Sequence, residues 1–405
     1  MLNLIWAGFF IAAFIMAVLA SFNGNTAIWS DMVNGLFTSV DTAFKTSLNL
    51  TGVLCFWLGM LKIAEKSGLT ELLARGLKPF FRAIMPDLKK DSPAFSAIVM
   101  NVAANVLGLD NAATPMGLKA MEEMQKENKT PDKASNAQIM FMVLNSSALT
   151  ILPITILMYR FQFGSMAPAK VFIPILLATA CSTLTGFIAT ALWQRINIFR
   201  RVILAYLLIG VGFIGTIGYI FGNNANSTQM TVILSNAILA GLVVLFIVAG
   251  LIKKQNVYEN FIEGAKDGFH IAVQIIPYLV AMLAAIGVFR ATGGIDLFCE
   301  KLAELLHYFG YDAEFTKALP AALMKPLSGS GARAMMIDIF STYGVDSFAG
   351  FAASIVQGST ETTFYVLAVY FGAVKLSKTG AALPLALLAD AAGITAAIAL
   401  AYKFY

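Results

Sequence analysis

The chain has 405 residues, of which 58% are hydrophobic and only 13% are charged. Soluble domains are about 45–50% apolar and about 25% charged, so this composition predicts an all-α, polytopic membrane protein and excludes an ordinary soluble domain. The net charge of +5 contains no long Lys/Arg block of the kind that binds nucleic acid. The three distant cysteines, Cys55, Cys181 and Cys299, indicate neither a disulfide framework nor a metal cluster.

The first elements are two apolar spans and an amphipathic segment. Residues 2–20 and 43–63 are each long enough to cross a bilayer. The polar segment 21–41 between them carries two aspartates but no Lys or Arg, so we expect it outside the cell. Residues 68–84 place leucines and phenylalanines at helical spacing opposite basic residues. This pattern predicts an amphipathic helix that lies on the membrane.

Two further segments of the first half carry polar residues at membrane depth. Residues 94–124 have charged flanks on the same predicted side, so we expect a re-entrant hairpin of two half-helices that meet at residues 108–111. Its polar centre consists of Asn101, Asn105, Gly108, Asp110, Asn111, Thr114 and Pro115. Residues 137–159 are predicted to form a span that is interrupted at 145–147 and again at 150–153.

The second half repeats this order after a plain span at residues 169–193. Its predicted elements are an extra span at 202–221, spans at 230–252 and 269–289, an amphipathic helix at 294–309, a hairpin at 315–343 that is broken at 328–331, a broken span at 348–372 and a last span at 382–401. The one unmatched span reverses the second copy relative to the first. We therefore predict two inverted-topology repeats, domains 1–198 and 199–405, with the amino terminus inside and the carboxyl terminus outside.

Seven residues without an aliphatic side chain interrupt the broken span of the second half. They are Gln357, Gly358, Ser359, Thr360, Glu361, Thr362 and Thr363. A carboxylate at the centre of a membrane helix costs roughly 3 kcal/mol on insertion scales. We therefore expect a helix broken at Gly358, with Glu361 buried near the amino end of the second half-helix and free backbone groups lining a wet cavity. Such an arrangement is typical of a solute or ion site.

Two sets of motifs resemble known families. Residues 101–122 and 145–153 resemble the spore maturation protein A family, and residues 325–332, 343–347 and 357–365 resemble the spore maturation protein B family. Both belong to the nucleoside-recognition, or Gate, superfamily, which is similar to concentrative nucleoside transporters and to the membrane gate of the ferrous iron transporter. The resemblance implies a transport-like fold. It implies no substrate, because the motif residues of the nucleoside carriers do not match here clearly enough to transfer.

Two functional classes remain open from the sequence. The first is a secondary transporter or carrier of a small polar or amphiphilic solute, nucleoside-like by the resemblance; the second is a non-transporting gate or scaffold that acts with a partner in envelope or spore maturation. Polar residues at bilayer depth favour the first, because a scaffold has no need of them. An enzyme is not expected: His270 and His307 are near no plausible serine nucleophile, and residues 328–331 match neither a nucleophile elbow nor a P-loop.

The predicted site collects polar groups from both halves around one midplane cavity. Its residues are Asn101, Asn105, Asn111, Thr114, Asn145, Ser146, Ser147, Ser328, Ser330, Gln357, Ser359, Thr360, Glu361 and Thr362. The same amides also fit a role as interhelical contacts, worth about 0.6 kcal/mol per hydrogen bond in membranes. No cofactor is predicted, and Na⁺ bound at Glu361 or a proton carried by it is the coupling hypothesis.

The expected partners are membrane lipids and a small-molecule solute, with no nucleic acid. The sequence leaves open whether copies of the chain form a homo-oligomer. The expected location is the bacterial inner (cytoplasmic) membrane, as a multi-pass protein.

Overall fold

The computed structural model describes residues 2–107, 110–147, 153–222, 227–308, 312–376 and 378–405. Within these ranges the regular structure is helical and contains no β-strand. The helices of the first half are α1 (Leu2–Phe22), α2 (Ile28–Lys66), α3 (Leu69–Ile84), α4 (Ala94–Leu107), α5 (Asp110–Lys126), α6 (Asn136–Ser147), α7 (Ile154–Gln162) and α8 (Phe172–Trp193), which follows a 3-10 turn at Pro168–Val171.

The second half continues with helices of the same kinds. They are α9 (Arg201–Gly222), α10 (Ser227–Ile252), α11 (Val257–Ala291), α12 (Gly294–Tyr308), α13 (Leu319–Met324), α14 (Gly329–Tyr343), α15 (Phe348–Ser359), α16 (Thr363–Ala373) and α17 (Ala382–Phe404), with a 3-10 turn at Glu314–Ala318 before α13.

Six of the described helices are long and apolar enough to cross a membrane. These segments are Leu4–Phe22, Ile28–Lys66, Pro168–Trp193, Val232–Ile252, Val257–Ala291 and Ala382–Phe404. A soluble fold has no use for this many apolar helices of bilayer length, so the chain has the architecture of a polytopic membrane protein. The prediction of an all-α, multi-pass protein is confirmed to this extent.

The helices α2 and α11 pack against each other along most of their lengths. Two glycines of α11 permit this close approach: a Cβ at Gly264 would lie 2.3 Å from the carbonyl oxygen of Leu58, and a Cβ at Gly268 would lie 2.7 Å from the Cα of Cys55. Small residues at helix interfaces are the usual means of close packing in membranes. The same pairing makes residues 28–41 helical, and the expectation of a loop at 21–41 is wrong for this part.

The Gly264→Ala substitution is expected to destabilise the protein by about 1–3 kcal/mol, because the new methyl group meets fixed backbone atoms that cannot move aside. The matched control is Gly241→Ala in α10, where a Cβ would meet nothing within 4 Å. Thermal unfolding of both purified variants in the same detergent measures the difference. Equal melting temperatures for the two variants would contradict the close packing of α2 on α11.

Each of these long helices ends in a glycine turn that leads into a short amphipathic helix. Gly68 precedes α3 and Gly293 precedes α12, and both have a φ of +80°. This left-handed conformation is readily available only to glycine, which explains the residue type at the two turns. Leu72 of α3 and Leu297 of α12 expose apolar side chains, as expected for helices that lie against lipid. The prediction of helices at 68–84 and 294–309 is confirmed.

The two predicted hairpins and the two predicted broken spans are each present as pairs of helices. Residues 108 and 109, at the predicted tip of the first hairpin, lie outside the described part of the chain. In the second half, the breaks differ in position from the prediction. Ser328 caps α14 by accepting a hydrogen bond from the Gly331 amide at 3.0 Å, so residues 329–331 already belong to that helix and the break precedes them. Gly358 lies inside α15, and the break follows at residues 360–362. Gly358 instead makes room for Ile175, whose Cγ2 would lie 2.6 Å from an added Cβ.

The hydrophobic core joins the two halves. One cluster of buried side chains includes Leu50 and Ile156 together with Phe351, and a second includes Phe141 together with Phe371. Between the halves, α8 packs against α17. The two halves therefore share one core, while the domain boundary at residue 198 stays a prediction.

Candidate functional site

The break between α15 and α16 is held by backbone hydrogen bonds to other elements. Thr360 is extended, with φ −147° and ψ 173°, and ends α15. The amide of Glu361 donates to the carbonyl of Ser146 at 2.8 Å, and the amide of Phe364 donates to the carbonyl of Pro326 at 3.1 Å. The break thus satisfies its free backbone groups by bonding to the end of α6 in the first half and to the connection between α13 and α14 in the second.

Side chains strengthen the contact between the two broken spans. The hydroxyls of Ser146 and Thr363, both fully buried, are hydrogen-bonded to each other. Ser147 is also fully buried, and its carbonyl accepts a hydrogen bond from Thr179 at 3.3 Å. The end of α6 therefore meets the break of the second broken span. Residues 145–147 belong to α6, where Asn145 and Ser147 bond carbonyls of their own helix, so the expected interruption at these residues is wrong. The rest of the first predicted break, residues 148–152, lies outside the described part of the chain.

The first hairpin contributes two asparagines to the same place. The amide nitrogen of Asn105 donates to Oδ1 of Asn145 at 3.0 Å, and that of Asn101 donates to the carbonyl of Ala113 at 2.8 Å. The Tyr370 hydroxyl of α16 links them, at 3.2 Å from the Asn101 amide and 3.4 Å from Oδ1 of Asn145. This chain of hydrogen bonds runs from the first hairpin through the first broken span to the second half.

A cavity of about 240 Å³ opens beside this network. Its lining consists of Asn105, Ala113, Thr114, Asn145, Glu361, Tyr365, Val366, Val369 and Tyr370, which come from both halves. Glu361 is exposed, and the expectation that it would be buried is wrong. The reason is local: the extended break turns its carboxylate toward the opening, where it remains hydrated, while the neighbouring threonines turn inward.

The other predicted residues take different positions. Ser359, Thr360 and Thr362 are buried behind the break, Gln357 is 8% exposed, and none of the four lines the 240 Å³ cavity. In the described ranges, the hydroxyls of Thr360 and Thr362 and the amide oxygen of Gln357 have no hydrogen-bond partner. The hydroxyl oxygens of Ser328 and Ser330 lie 3.2 Å apart at the start of α14. Asn111 lies in α5, but its side chain is outside the described part of the chain.

Three residues near the break were missed by the sequence reasoning. Tyr365 and Tyr370 line the cavity, but an aromatic residue in an apolar span gives no signal that separates a site from ordinary packing. Asp390 of α17 is 1% exposed, and within the described part of the chain neither of its carboxylate oxygens has a hydrogen-bond partner. A lone carboxylate in the last apolar span was a usable signal for it.

A larger cavity of about 610 Å³ lies beside α12, and its lining differs from that of the 240 Å³ cavity. Acidic side chains such as Asp296 and Glu300 line it, and it includes no residue of the broken helices. The adjacent Arg290 pairs with Asp338 and, at 2.9 Å, with Asp296, so part of this negative charge is already balanced. We therefore take the smaller cavity, where both halves meet, as the candidate site.

A buried arginine joins the two halves near one end of the broken spans. Arg160 of α7 is fully buried and donates to the Val345 carbonyl at 2.9 Å, to Ser354 at 3.1 Å, to Ser165 at 3.1 Å and to Asp346 at 2.7 Å. Four acceptors around one guanidinium fix α7 against the loop before α15. The sequence analysis did not predict a role for this arginine.

Asp346 accepts further hydrogen bonds at this junction, from the Ser165 hydroxyl at 2.6 Å and from the Met166 amide at 2.8 Å. Partial burial raises the pKa of Asp346, but these hydrogen bonds and the Arg160 guanidinium outweigh it and hold the pKa below its usual value. The carboxylate form is therefore the one that the folded protein favours.

Acidification is expected to remove the stability that Asp346 contributes. Because its folded-state pKa is lowered, this contribution is complete above the pKa of the unfolded chain, about 3.9, and is lost as the pH falls through the lower folded value. The measurement compares melting temperatures of wild type and Asp346→Asn across this acidic range. The gap between them should be constant near neutrality and shrink on acidification; a gap that does not depend on pH would contradict the assignment.

Six described apolar helices of bilayer length define this chain as a polytopic membrane protein. Residues 47–162 and 272–377, more than half of the chain, match the model of the Gate family, described as nucleoside recognition. The chain belongs to this family.

Two relatives from Bacillus subtilis (strain 168) agree with this assignment. Spore maturation protein B is 47% identical over 165 residues, which cover 41% of this chain and 91% of that protein. Spore maturation protein A is 37% identical over 188 residues, which cover 46% of this chain and 93% of that protein. The resemblance to both families is confirmed.

Proposed function

We propose that this protein is a secondary carrier of a small polar solute in the cytoplasmic membrane of a bacterium, with no enzymatic reaction. The observation that carries the proposal is the 240 Å³ cavity, in which polar side chains from both halves meet at discontinuous helices. Broken helices that meet inside the bilayer are the usual construction of a transporter binding site. A scaffold would gain nothing from the amides of Asn105 and Asn145 or the carboxylate of Glu361 at this depth.

The lining indicates what kind of solute fits. Pockets for drug-sized ligands measure about 300–1,000 Å³, so a cavity of about 240 Å³ suits a smaller molecule. The rings of Tyr365 and Tyr370 offer flat apolar surface, and Asn105, Asn145 and Glu361 offer hydrogen-bond donors and acceptors. A solute with a flat ring and several polar groups fits this lining, which supports the nucleoside-like class suggested by the family's description.

We also infer that the two halves are inverted repeats. The family model matches the chain twice, and each match includes an amphipathic helix, a hairpin and a broken span in the same order. Loop contacts correspond as well. Asp346, before the second broken span, bonds to Ser165 after the first, and Asp132, before the first, forms an ion pair with Lys378 after the second.

Inverted repeats predict that Lys129 and Glu304, both exposed, lie on opposite sides of the membrane. Cysteines are introduced singly at these positions in a background whose three natural cysteines are replaced by serine. A membrane-impermeant thiol reagent added to intact cells should label the cysteine at 304 and spare the one at 129, until the cells are opened. Labelling of both from the same side would contradict the inverted repeat.

The proposed function is tested by comparing metabolites and lipids in deletion cells complemented with wild type or with Asn145→Ala. A carrier predicts that a small polar compound changes in the deletion and that wild type restores it whereas the variant does not. Uptake of that compound into proteoliposomes then measures transport directly. A restored phenotype without any change in a transported compound would favour the gate or scaffold.

A further inference from the structure

The last helix, α17, carries a buried carboxyl group, that of Asp390. Asp390 is 1% exposed, and neither oxygen has a hydrogen-bond partner among the residues that the structure describes. A buried carboxylate without partners is among the most expensive groups a protein can hold, and proteins usually remove its charge instead. A neutral carboxyl at this position is therefore the form that the packing favours.

The ionisable groups that act on Asp390 are Lys325, at the end of α13, which attracts its carboxylate, and Glu361, which repels it. The helices α6 and α8 meet this part of α17 with small or neutral residues. Ser182 donates to the carbonyl of Ala389 at 2.9 Å, and Gly186 leaves room for the side chain of Ala389.

The hydroxyls nearest to Asp390 are those of Thr363 and Thr360. Thr363 is already hydrogen-bonded to Ser146, whereas the buried Thr360 hydroxyl has no partner. Gly393, one turn further along α17, admits Thr360 closely, since an added Cβ would lie 2.7 Å from Cγ2 of that residue. The break in the second broken span therefore packs Thr360, which carries one of its two unpartnered hydroxyls, against the helix that carries the carboxyl.

We propose that Asp390 is a proton-binding site, neutral in this conformation, which releases its proton when the break moves and its carboxylate is stabilised by Lys325. The proton is taken from and returned to water, and no other bond is formed or broken. A metal ion requires a shell of several oxygen ligands. Of the described hydroxyls that act on Asp390, Thr360 alone is unpaired, so these surroundings suit a proton rather than Na⁺.

The same short segment reaches both the proton site and the cavity. Thr360 faces Asp390, and the next residue, Glu361, lines the 240 Å³ cavity. A solute that displaces Glu361 moves Thr360 with it, and this changes the environment of the Asp390 carboxyl. The role in coupling rests on the proposed carrier function, but the proton site itself does not. It also differs from the earlier hypothesis of a proton or Na⁺ on Glu361.

Infrared difference spectroscopy of the purified protein tests the site. At neutral pH the wild type should show the carbonyl stretching band of a buried protonated carboxyl group, which a rise in pH removes. The band should be absent in Asp390→Asn, which mimics the neutral form and is expected to fold, and present in Asp338→Asn, whose carboxylate is paired with Arg290. The absence of a band in wild type, or an unchanged band in Asp390→Asn, would overturn the proposal.

Two further measurements keep the test decisive. Thr360→Val should shift the frequency of the band, because the hydroxyl beside the carboxyl is lost, so the site can be judged even if Asp390→Asn fails to fold; an unshifted band contradicts the placement.

Replacing K⁺ by Na⁺ at constant ionic strength should leave the band intact, and its loss would indicate a sodium site instead. A band without any solute transport would contradict the carrier function and support the proton site. Solute transport without a band would support the carrier function and contradict the proton site.

Discussion

Replacing Arg160 with methionine is expected to lower the free energy of unfolding by about 2–4 kcal/mol. The guanidinium is fully buried and donates to Val345, Ser354, Ser165 and Asp346. Methionine keeps much of the apolar contact with the surrounding side chains but leaves these acceptors without their donor. The bond to Asp346 contributes the smaller part, because that carboxylate is 40% exposed and water can replace the arginine there.

The measurement is thermal unfolding of the purified variant in detergent, together with its yield in the membrane. The matched control is Asp132→Asn, which breaks the exposed ion pair with Lys378 at the other junction between the halves. This control should melt close to wild type, because exposed ion pairs contribute little. If Arg160→Met also melts close to wild type, the buried arginine does not hold the halves together.

Replacing Glu361 with glutamine is expected to weaken solute binding roughly 10- to 150-fold, which corresponds to the loss of about 1.5–3 kcal/mol for a hydrogen bond to a charged group. The carboxylate lines the cavity and is exposed to it, so the fold should be retained. Uptake into proteoliposomes, with the compound identified from deletion cells, measures the effect.

The matched comparison is Ser341→Ala, a hydroxyl of α14 that bonds only its own helix, to the Ile337 carbonyl at 3.0 Å, and that does not line the cavity. This variant should transport as wild type does. The Asn145→Ala change removes the acceptor of two hydrogen bonds in the network and should impair the same activity. If Glu361→Gln and Asn145→Ala act independently in a double-mutant cycle, the two halves do not share one site.

The sequence predicted the helices where each element obeys its own local rule. Apolar stretches of bilayer length gave α1, α8 and α17, and the helical spacing of leucines gave α3 and α12. The sequence prediction failed where packing between distant segments determines the local structure. Residues 28–41 look like a polar loop in isolation, but they are helical because α2 packs along α11, where glycines allow the backbones to touch.

The candidate site, too, was predicted only in part. Clusters of polar residues at membrane depth predicted a break close to residues 360–362 and its contact with residues 145–147, because lipid cannot satisfy free backbone groups. Composition alone does not tell which way each side chain of a break points, so Glu361 was expected to be buried and Gly358 was assigned to the break. Arg160 was missed because its importance comes from partners that only the folded chain brings together. Asp390 was missed although a lone carboxylate in the last apolar span marks it in the sequence.

We infer that polar groups of both halves bind one solute in one cavity. The test is to equilibrate the purified protein in lipid nanodiscs with a metabolite extract and to identify the retained compounds by mass spectrometry. Wild type should retain a small polar compound, and Asn145→Ala of the first half and Glu361→Gln of the second should each lose that same compound. Retention by both variants at the wild-type level, or no retained compound in wild type, would contradict the claim.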